Sequence, residues 1–123
     1  MIADRIVKEL IEALEDVKAQ DIRVLDVQKL TTITDYMIVT TGSSDRHVRA
    51  LAQAVVERAR KIGHKPRGVE GESEGEWVLV DLIDVVVHVM QSRTRALYQL
   101  EQLWDMTAAG QGAGAGSTAS SSG

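Results

Sequence analysis

The chain has 123 residues, of which 44% are hydrophobic and 26% charged, and these totals are typical of one ordinary globular domain. The absence of cysteine excludes disulfides, thiolate metal sites and a cysteine nucleophile. Lys and Arg total 14 against 18 Asp and Glu, and the resulting formal charge of −4 favours a basic protein partner over direct nucleic-acid binding.

The N-terminal segment MIADRIVKELIEALED carries charges every few residues, which does not match a signal peptide. No apolar run in the sequence approaches the ~18 residues that a membrane span requires. We therefore expect a cytoplasmic protein with no membrane partner.

The first half of the chain is predicted to begin with a helix and two strands. Residues 2–18 show apolar side chains at spacings of three and four, among them Ile6, Leu10 and Leu14. The segments 22–27 and 36–41 are rich in β-branched residues and are predicted strands. Because the link between these strands is short, we expect them to be antiparallel neighbours.

A second helix is predicted after Gly42, over residues 43–63. Ser43 or Ser44 can cap its start, and Gly63 ends it, with the only proline of the chain following at Pro66.

The second half is predicted to contain three strands and a helix. A short strand is expected near residues 67–70, and two longer ones at 76–82 and 85–90. A third helix is predicted over 92–105, with Leu97, Leu100, Leu103 and Trp104 on its inner side.

The predicted order is therefore α-β-β-α-β-β-β-α, which indicates an α/β (α+β) fold with a mixed sheet of about five strands flanked by helices. Residues 1–106 are predicted to form the domain. Residues 107–123 consist of small and polar residues that cannot bury enough apolar surface to fold, and they are predicted to be a disordered tail.

The turn TTGSSDRH, residues 40–47, resembles a phosphate-binding turn because a strand runs through Gly42 into a helix N-terminus. The P-loop and dinucleotide-binding glycine patterns are absent, however, and the Asp-x-Asp pair of nucleotidyltransferases is missing from the following RALAQAVVE segment. An ordinary helix cap is the favoured interpretation. A nucleotide-binding or nucleotidyl-transfer enzyme that uses the Gly42–His47 turn remains the alternative.

The three histidines do not suggest a metal site. His47, His64 and His88 are far apart in sequence and form no His-x-His or His-x-x-x-His pair. His88 lies between two valines on a predicted strand. It is therefore interpreted as a half-buried histidine with one hydrogen-bond partner.

The segment EGEWVLVDLIDVVVHVM, residues 74–90, supports two interpretations. Alternation places Trp77, Leu79 and Asp81 on one strand face and Val78, Val80 and Leu82 on the other. Both faces are largely apolar, as in a central strand pair covered by helices on both sides. Alternatively, Trp77 and the turn residues Leu82 and Ile83 form a binding patch ringed by carboxylates, those of Glu70, Glu72, Glu74, Glu76, Asp81 and Asp84.

Four blocks of the sequence resemble one known family. They are QDIRVLDV (20–27), ITDYMIVTTGSSDRHVRALA (33–52), VEGESEGEWVLVDLIDVVVHVM (69–90) and RALYQLEQLW (95–104). Together they resemble the ribosomal silencing factors, the RsfS, YbeB or iojap family, in order and with compatible spacing over almost all of residues 1–105.

This resemblance implies a nucleotidyltransferase-like fold without the catalytic acids, and a protein that is not an enzyme and needs no cofactor or metal. It implies binding to the large ribosomal subunit through ribosomal protein number fourteen. Bound there, the family blocks joining of the small subunit and represses translation under nutrient limitation. Some members form homodimers when free.

Six residues are predicted to contact the ribosomal protein: Glu70, Trp77, Asp81, Leu82, Asp84 and His88. Trp77 is the expected central anchor, and the carboxylates are expected to face Lys and Arg side chains of the partner. Residue 83 is often glycine in the family and is isoleucine here, so the turn is expected to differ in geometry or to carry an added apolar contact.

Overall fold

The computed structural model describes residues 2–98 of the chain. Its elements are α1 (Ile2–Asp16), β1 (Gln20–Asp26), β2 (Tyr36–Gly42), α2 (Asp45–Lys61), β3 (Gly68–Glu70), β4 (Trp77–Asp81), β5 (Val85–Gln91) and α3 (Ser92–Tyr98). The predicted order is confirmed. The continuation of α3 to residue 105 and the tail at 107–123 lie outside the described residues, so the predicted domain limits stay a prediction.

The strands form one five-stranded mixed sheet in the order β1-β2-β5-β4-β3. β2 and β5 are parallel, while β1 pairs with β2, β4 with β5, and β3 with β4 in antiparallel fashion. The expectation of antiparallel neighbours at β1 and β2 is confirmed. The mixed sheet arises because α2 carries the chain from β2 to β3 at the far edge, from which antiparallel β4 and β5 return and place β5 beside β2.

One face of the sheet is covered by α1 and α2. The apolar stripes of these helices pack against alternate strand residues in one buried cluster, which includes Leu10, Leu14, Ile38, Leu51, Val55, Val78, Val80, Leu82 and Val87. Ser44 caps the start of α2, where its side chain accepts a hydrogen bond from the His47 backbone N–H. We call the sheet face beneath α1 and α2 the helix-covered face.

The two helices are also joined by an ionic cluster on their outer surface. Arg58 of α2 lies 3.0 Å from the carboxylate of Glu9 and 3.4 Å from those of Glu12 and Asp16, all three belonging to α1. These groups are partly exposed, so solvent weakens their attraction and the apolar cluster beneath carries most of the packing energy.

The opposite face holds a smaller apolar cluster. Leu25, Val27, Met37, Val39 and Met90 are buried there, and Leu30 and Trp77 pack against them. Two helices therefore cover one face of β4 and β5, while Trp77 lies on the other. The interpretation of this strand pair as covered by helices on both sides stays a prediction, because the predicted continuation of α3, which follows β5, lies outside the described residues.

Candidate functional site

Strand pairing brings polar and apolar side chains together on the face opposite α1 and α2. Trp77 pairs with Met90, Leu79 with His88, Asp81 with Val86, and Glu70 of β3 with Leu79. Directly paired residues in a sheet point to the same side. We define the Trp77 face by six of these residues: Glu70, Trp77, Leu79, Asp81, Val86 and His88.

Trp77 is held by a hydrogen bond to His88. The indole Nε1–H donates to Nδ1 of His88 at 3.0 Å, and the ring centroids lie 5.9 Å apart with the planes tilted by 52°. Because Nδ1 accepts this bond, the imidazole proton lies on Nε2. His88 is only 6% exposed, and burial lowers its pKa from 6.5 to about 4.

Trp77 itself is half-buried, so part of its ring remains accessible while its nitrogen is satisfied inside the protein. His88 thus fixes the orientation of the indole and is itself too buried to offer much contact surface. The prediction that His88 has a hydrogen-bond partner is confirmed, whereas the residue is buried rather than half-buried.

The loop before Trp77 requires a glycine. Gly71 has a φ of +90°, and a Cβ at this position would collide with the carbonyl oxygen of Trp77. This close backbone approach fixes the acidic loop, residues 71–76, against the start of β4.

The acidic loop is anchored through its backbone. Arg49 of α2 donates from Nε to the Glu72 carbonyl at 2.8 Å and from Nη2 to the Ser73 carbonyl at 2.9 Å. Gln91 donates to the Gly75 carbonyl at 3.0 Å. Since these bonds use carbonyl groups, the loop is fixed without occupying the carboxylate of Glu72.

Asp81 shapes the turn between β4 and β5. One carboxylate oxygen accepts from Arg67 at 2.7 Å and the other accepts from the backbone N–H of Ile83 at 2.8 Å. Burial alone raises the pKa of Asp81, but the Ile83 N–H bond and the Arg67 guanidinium outweigh it, and the pKa lies below its ordinary value. Both oxygens are therefore already engaged by the fold.

The turn itself is strained at Ile83. The Asp84 N–H bonds to the Leu82 carbonyl at 2.9 Å, which closes a three-residue γ-turn, and its central residue Ile83 has a φ of +73°. This positive-φ form of the γ-turn is the rare and strained one. A β-branched residue with positive φ is an outlier whose cost is on the order of 1–3 kcal/mol.

Leu82 is buried in the free protein, and its predicted contact with the partner stays a prediction. Its side chain has 0% exposure and belongs to the buried cluster under α1 and α2, and His64 bonds to its carbonyl at 3.0 Å. Alternation along β4 carries Leu82 to the helix-covered face, so in this structure it supports the core. The apolar turn side chain that reaches solvent is Ile83, which is 47% exposed.

Asp84 and Glu70 carry carboxylates that remain available. The Asp84 carbonyl accepts from the backbone N–H groups of Asp35 and Tyr36 at 3.0 and 3.1 Å. Within residues 2–98, neither its carboxylate nor that of the exposed Glu70 forms a hydrogen bond or an ion pair. These are the two predicted acidic site residues whose charge is free for a partner.

The Gly42–His47 turn is occupied by its own side chains. The Ser44 hydroxyl accepts the His47 N–H at 3.0 Å, the Asp45 carboxylate accepts the Arg46 N–H at 2.8 Å, and His47 Nδ1 accepts the Ser43 N–H at 2.8 Å. Helix N–H groups that bind a phosphate must be free. Here the N–H groups of Arg46 and His47 in the first turn, and that of the preceding Ser43, are occupied, and the Asp45 carboxylate lies among them.

Other kinds of site receive no support from the described part of the chain. It contains no group of three or more His, Asp or Glu side chains that could hold a metal ion. None of its helices is long and apolar enough to cross a membrane.

Sequence reasoning did not single out Leu79 or Val86 as contact residues, whereas it placed Ile83 in the apolar patch beside Trp77. Leu79 and Val86 are partly exposed members of the Trp77 face, and they become neighbours of His88 and Asp81 only through strand pairing. The alternation within β4 could have identified Leu79, since it shares a face with Trp77. Val86 required knowledge of the register between β4 and β5.

Comparison with known proteins gives a family match over nearly the whole chain. The model of the family described as "Ribosomal silencing factor during starvation" matches residues 2–121. A protein of Chromobacterium violaceum named "Ribosomal silencing factor RsfS" is 52% identical over 94 residues, covering 76% of this chain and 77% of that protein. A Bacillus subtilis protein of the same name is 41% identical over 92 residues, covering 75% and 78% respectively.

Solved structures agree with the fold. A crystal structure of a Chromobacterium violaceum protein matches with a TM-score of 0.84 at 50% identity, covering 85% of this chain and 88% of the other. A second, from Bacillus halodurans, matches with a TM-score of 0.75 at 33% identity and covers 82% and 94%.

Proposed function

Because this chain belongs to the ribosomal silencing factor family, whose members regulate translation at the ribosome, we propose that its Trp77 face docks on the large ribosomal subunit. The bound protein then blocks association with the small subunit and represses translation under nutrient limitation. It acts in the cytoplasm as a stoichiometric blocker rather than as an enzyme.

The observation that carries this proposal is the state of Trp77. Its indole nitrogen is satisfied by the buried His88, and part of its ring stays accessible beside the partly exposed Leu79 and Val86. An oriented aromatic side chain with apolar neighbours and a polar rim is the usual composition of an interface hot spot.

The partner we propose is ribosomal protein number fourteen of the large subunit, contacted through a basic surface. The carboxylates of Glu70 and Asp84 are free for Lys or Arg, and the chain carries a net charge of −4. Complementary charge of this kind sets register and association rate more than affinity. We also propose that the free protein can form a homodimer, as the family resemblance implies.

The first experiment is sedimentation of purified small and large subunits with the protein added. The wild type is expected to travel with the large subunit and to reduce the joined-ribosome peak. Trp77→Ala is expected to bind at least ~30-fold more weakly, since truncation of a hot-spot residue costs about 2 kcal/mol or more. Val24→Ala, a partly exposed residue that faces the other side of the sheet on β1, is the matched control and is expected to behave as wild type.

Thermal melts of the same variants separate docking from folding. If Trp77→Ala loses binding only in proportion to its folded fraction, Trp77 is not an anchor. If the wild type leaves subunit joining unchanged, the blocking function is wrong, and binding of a nucleotide with Mg²⁺ to the Gly42–His47 turn becomes the next measurement.

A further inference from the structure

The turn between β4 and β5 has an apolar side chain at a position where turns of this length usually have glycine. Three-residue hairpin loops favour glycine at a position of positive φ, because only glycine adopts it without steric cost. Ile83 occupies this position with a φ of +73°. Its backbone N–H is tied to Asp81, and the γ-turn is closed by the bond between Asp84 and Leu82.

Burial of the Ile83 side chain within the protein does little to offset this backbone strain. Ile83 is 47% exposed, whereas its neighbours Leu82 and Val85 have 0% exposure. Within residues 2–98, two further non-glycine residues have positive φ, Lys18 at 65° and Asp21 at 50°. Neither is β-branched, and Lys18 lies just beyond the C-terminus of α1, where helices commonly end in this conformation.

Strain that the surroundings maintain at one exposed residue is a feature of binding sites. The surroundings do maintain it here: Arg67 holds the carboxylate of Asp81, which in turn holds the Ile83 N–H, and His64 holds the Leu82 carbonyl. Five hydrogen bonds therefore fix a conformation that isoleucine itself disfavours: two from Arg67 to Asp81, one from the Ile83 N–H to Asp81, one between His64 and the Leu82 carbonyl, and the one that closes the γ-turn.

We propose that Ile83 is a specificity-determining contact of the docking surface, and that the turn holds it in a strained conformation so that its side chain meets an apolar spot on the basic ribosomal protein. This inference rests on the proposed function. It extends the surface beyond the Trp77 face to the turn, where Ile83 lies between the engaged carboxylate of Asp81 and the free carboxylate of Asp84.

Two substitutions separate the side chain from the strain. Ile83→Gly removes both, so the melting temperature is expected to rise by about 2–6 °C while affinity for purified large subunits falls ~5–30-fold. Ile83→Ala removes the apolar contact but keeps a Cβ at positive φ. It is expected to lose a similar factor in affinity with no comparable rise in melting temperature.

Lys18→Gly is the matched control. It relieves a positive φ after α1, at the end of the sheet remote from the turn, and it is expected to raise the melting temperature without changing affinity. This variant tests whether added stability by itself weakens docking.

Each outcome decides one part of the account. If the wild type binds and both Ile83 variants bind equally well, Ile83 is not a contact and the inference is overturned while the proposed function stands. If Ile83→Gly binds more weakly but melts no higher than wild type, the strain is not real and that half of the inference is overturned. If wild type does not bind large subunits at all, the proposed function fails and the inference fails with it.

Discussion

Both faces of the β4–β5 strand pair are largely apolar, but α1 and α2 bury the residues of one face while those of the other stay partly exposed. On the helix-covered face, Val78, Val80, Leu82 and Val87 have 0% exposure beneath α1 and α2. On the Trp77 face, Trp77, Leu79 and Val86 remain partly exposed. The first face derives its stability from contacts within the chain, whereas the second keeps apolar surface that a partner can cover. Substitutions on the two faces should therefore affect stability and binding separately.

The largest effect on stability is expected from Leu82→Ala. This side chain is fully buried, so its truncation should lower the free energy of unfolding by about 2–5 kcal/mol. Affinity for large subunits, corrected for the folded fraction from urea unfolding, should stay within a factor of about two. A large affinity loss at unchanged stability would instead restore Leu82 as a contact residue.

The next largest effect is a loss of stability at low pH, because the Trp77 face contains the buried ionisable side chain of His88. The pKa of His88 is about 4 in the fold against 6.5 ordinarily, so as the pH falls the unfolded chain takes up the proton first. The stability that neutral His88 provides is complete above pH 6.5 and is lost between pH 6.5 and 4, by at most about 3 kcal/mol.

His88→Asn tests this assignment, because the amide oxygen can still accept from Trp77 and does not titrate. Urea unfolding between pH 7.5 and 4.5 should show a smaller loss of stability for the variant than for wild type. Equal pH dependence in the two proteins would show that the titration of His88 does not contribute.

The smallest effect is expected from the free carboxylates. Glu70→Gln should slow association with large subunits by about two-fold at low salt and have no effect at high salt, because exposed charges steer encounter and are screened. Glu15→Gln, the same change on the exposed surface of α1, is the control. Stopped-flow association at two salt concentrations measures the rates of both variants and of the wild type. If Glu70→Gln associates as fast as the wild type at low salt, Glu70 does not belong to the docking surface.

Much of this organisation was predictable from the sequence because it depends on local periodicity. Spacings of three and four identified Leu10 and Leu14 as core, and alternation separated Trp77 from Leu82. The element order followed from these patterns, and the antiparallel pairing of β1 with β2 followed from their short connection.

The remainder depends on long-range pairing and backbone geometry, which a single sequence does not display. Both faces of β4 and β5 are apolar, so the covered face was undetermined until α1 and α2 packed on one of them. The hydrogen bond from Trp77 to His88 spans two strands. Leu82 was expected at the surface because it lies at a turn, yet the strained φ of Ile83 allows the turn to form with Leu82 inside.

The most direct test of the central claim uses the absence of cysteine from the chain. Single cysteines are introduced by Leu79→Cys on the Trp77 face and by Ala50→Cys on the exposed side of α2, and their alkylation rates are compared with and without purified large subunits. The account predicts strong protection of the thiol at position 79 and little change at position 50. Protection at position 50 with none at position 79 would show that the protein docks through its helices and would contradict the account.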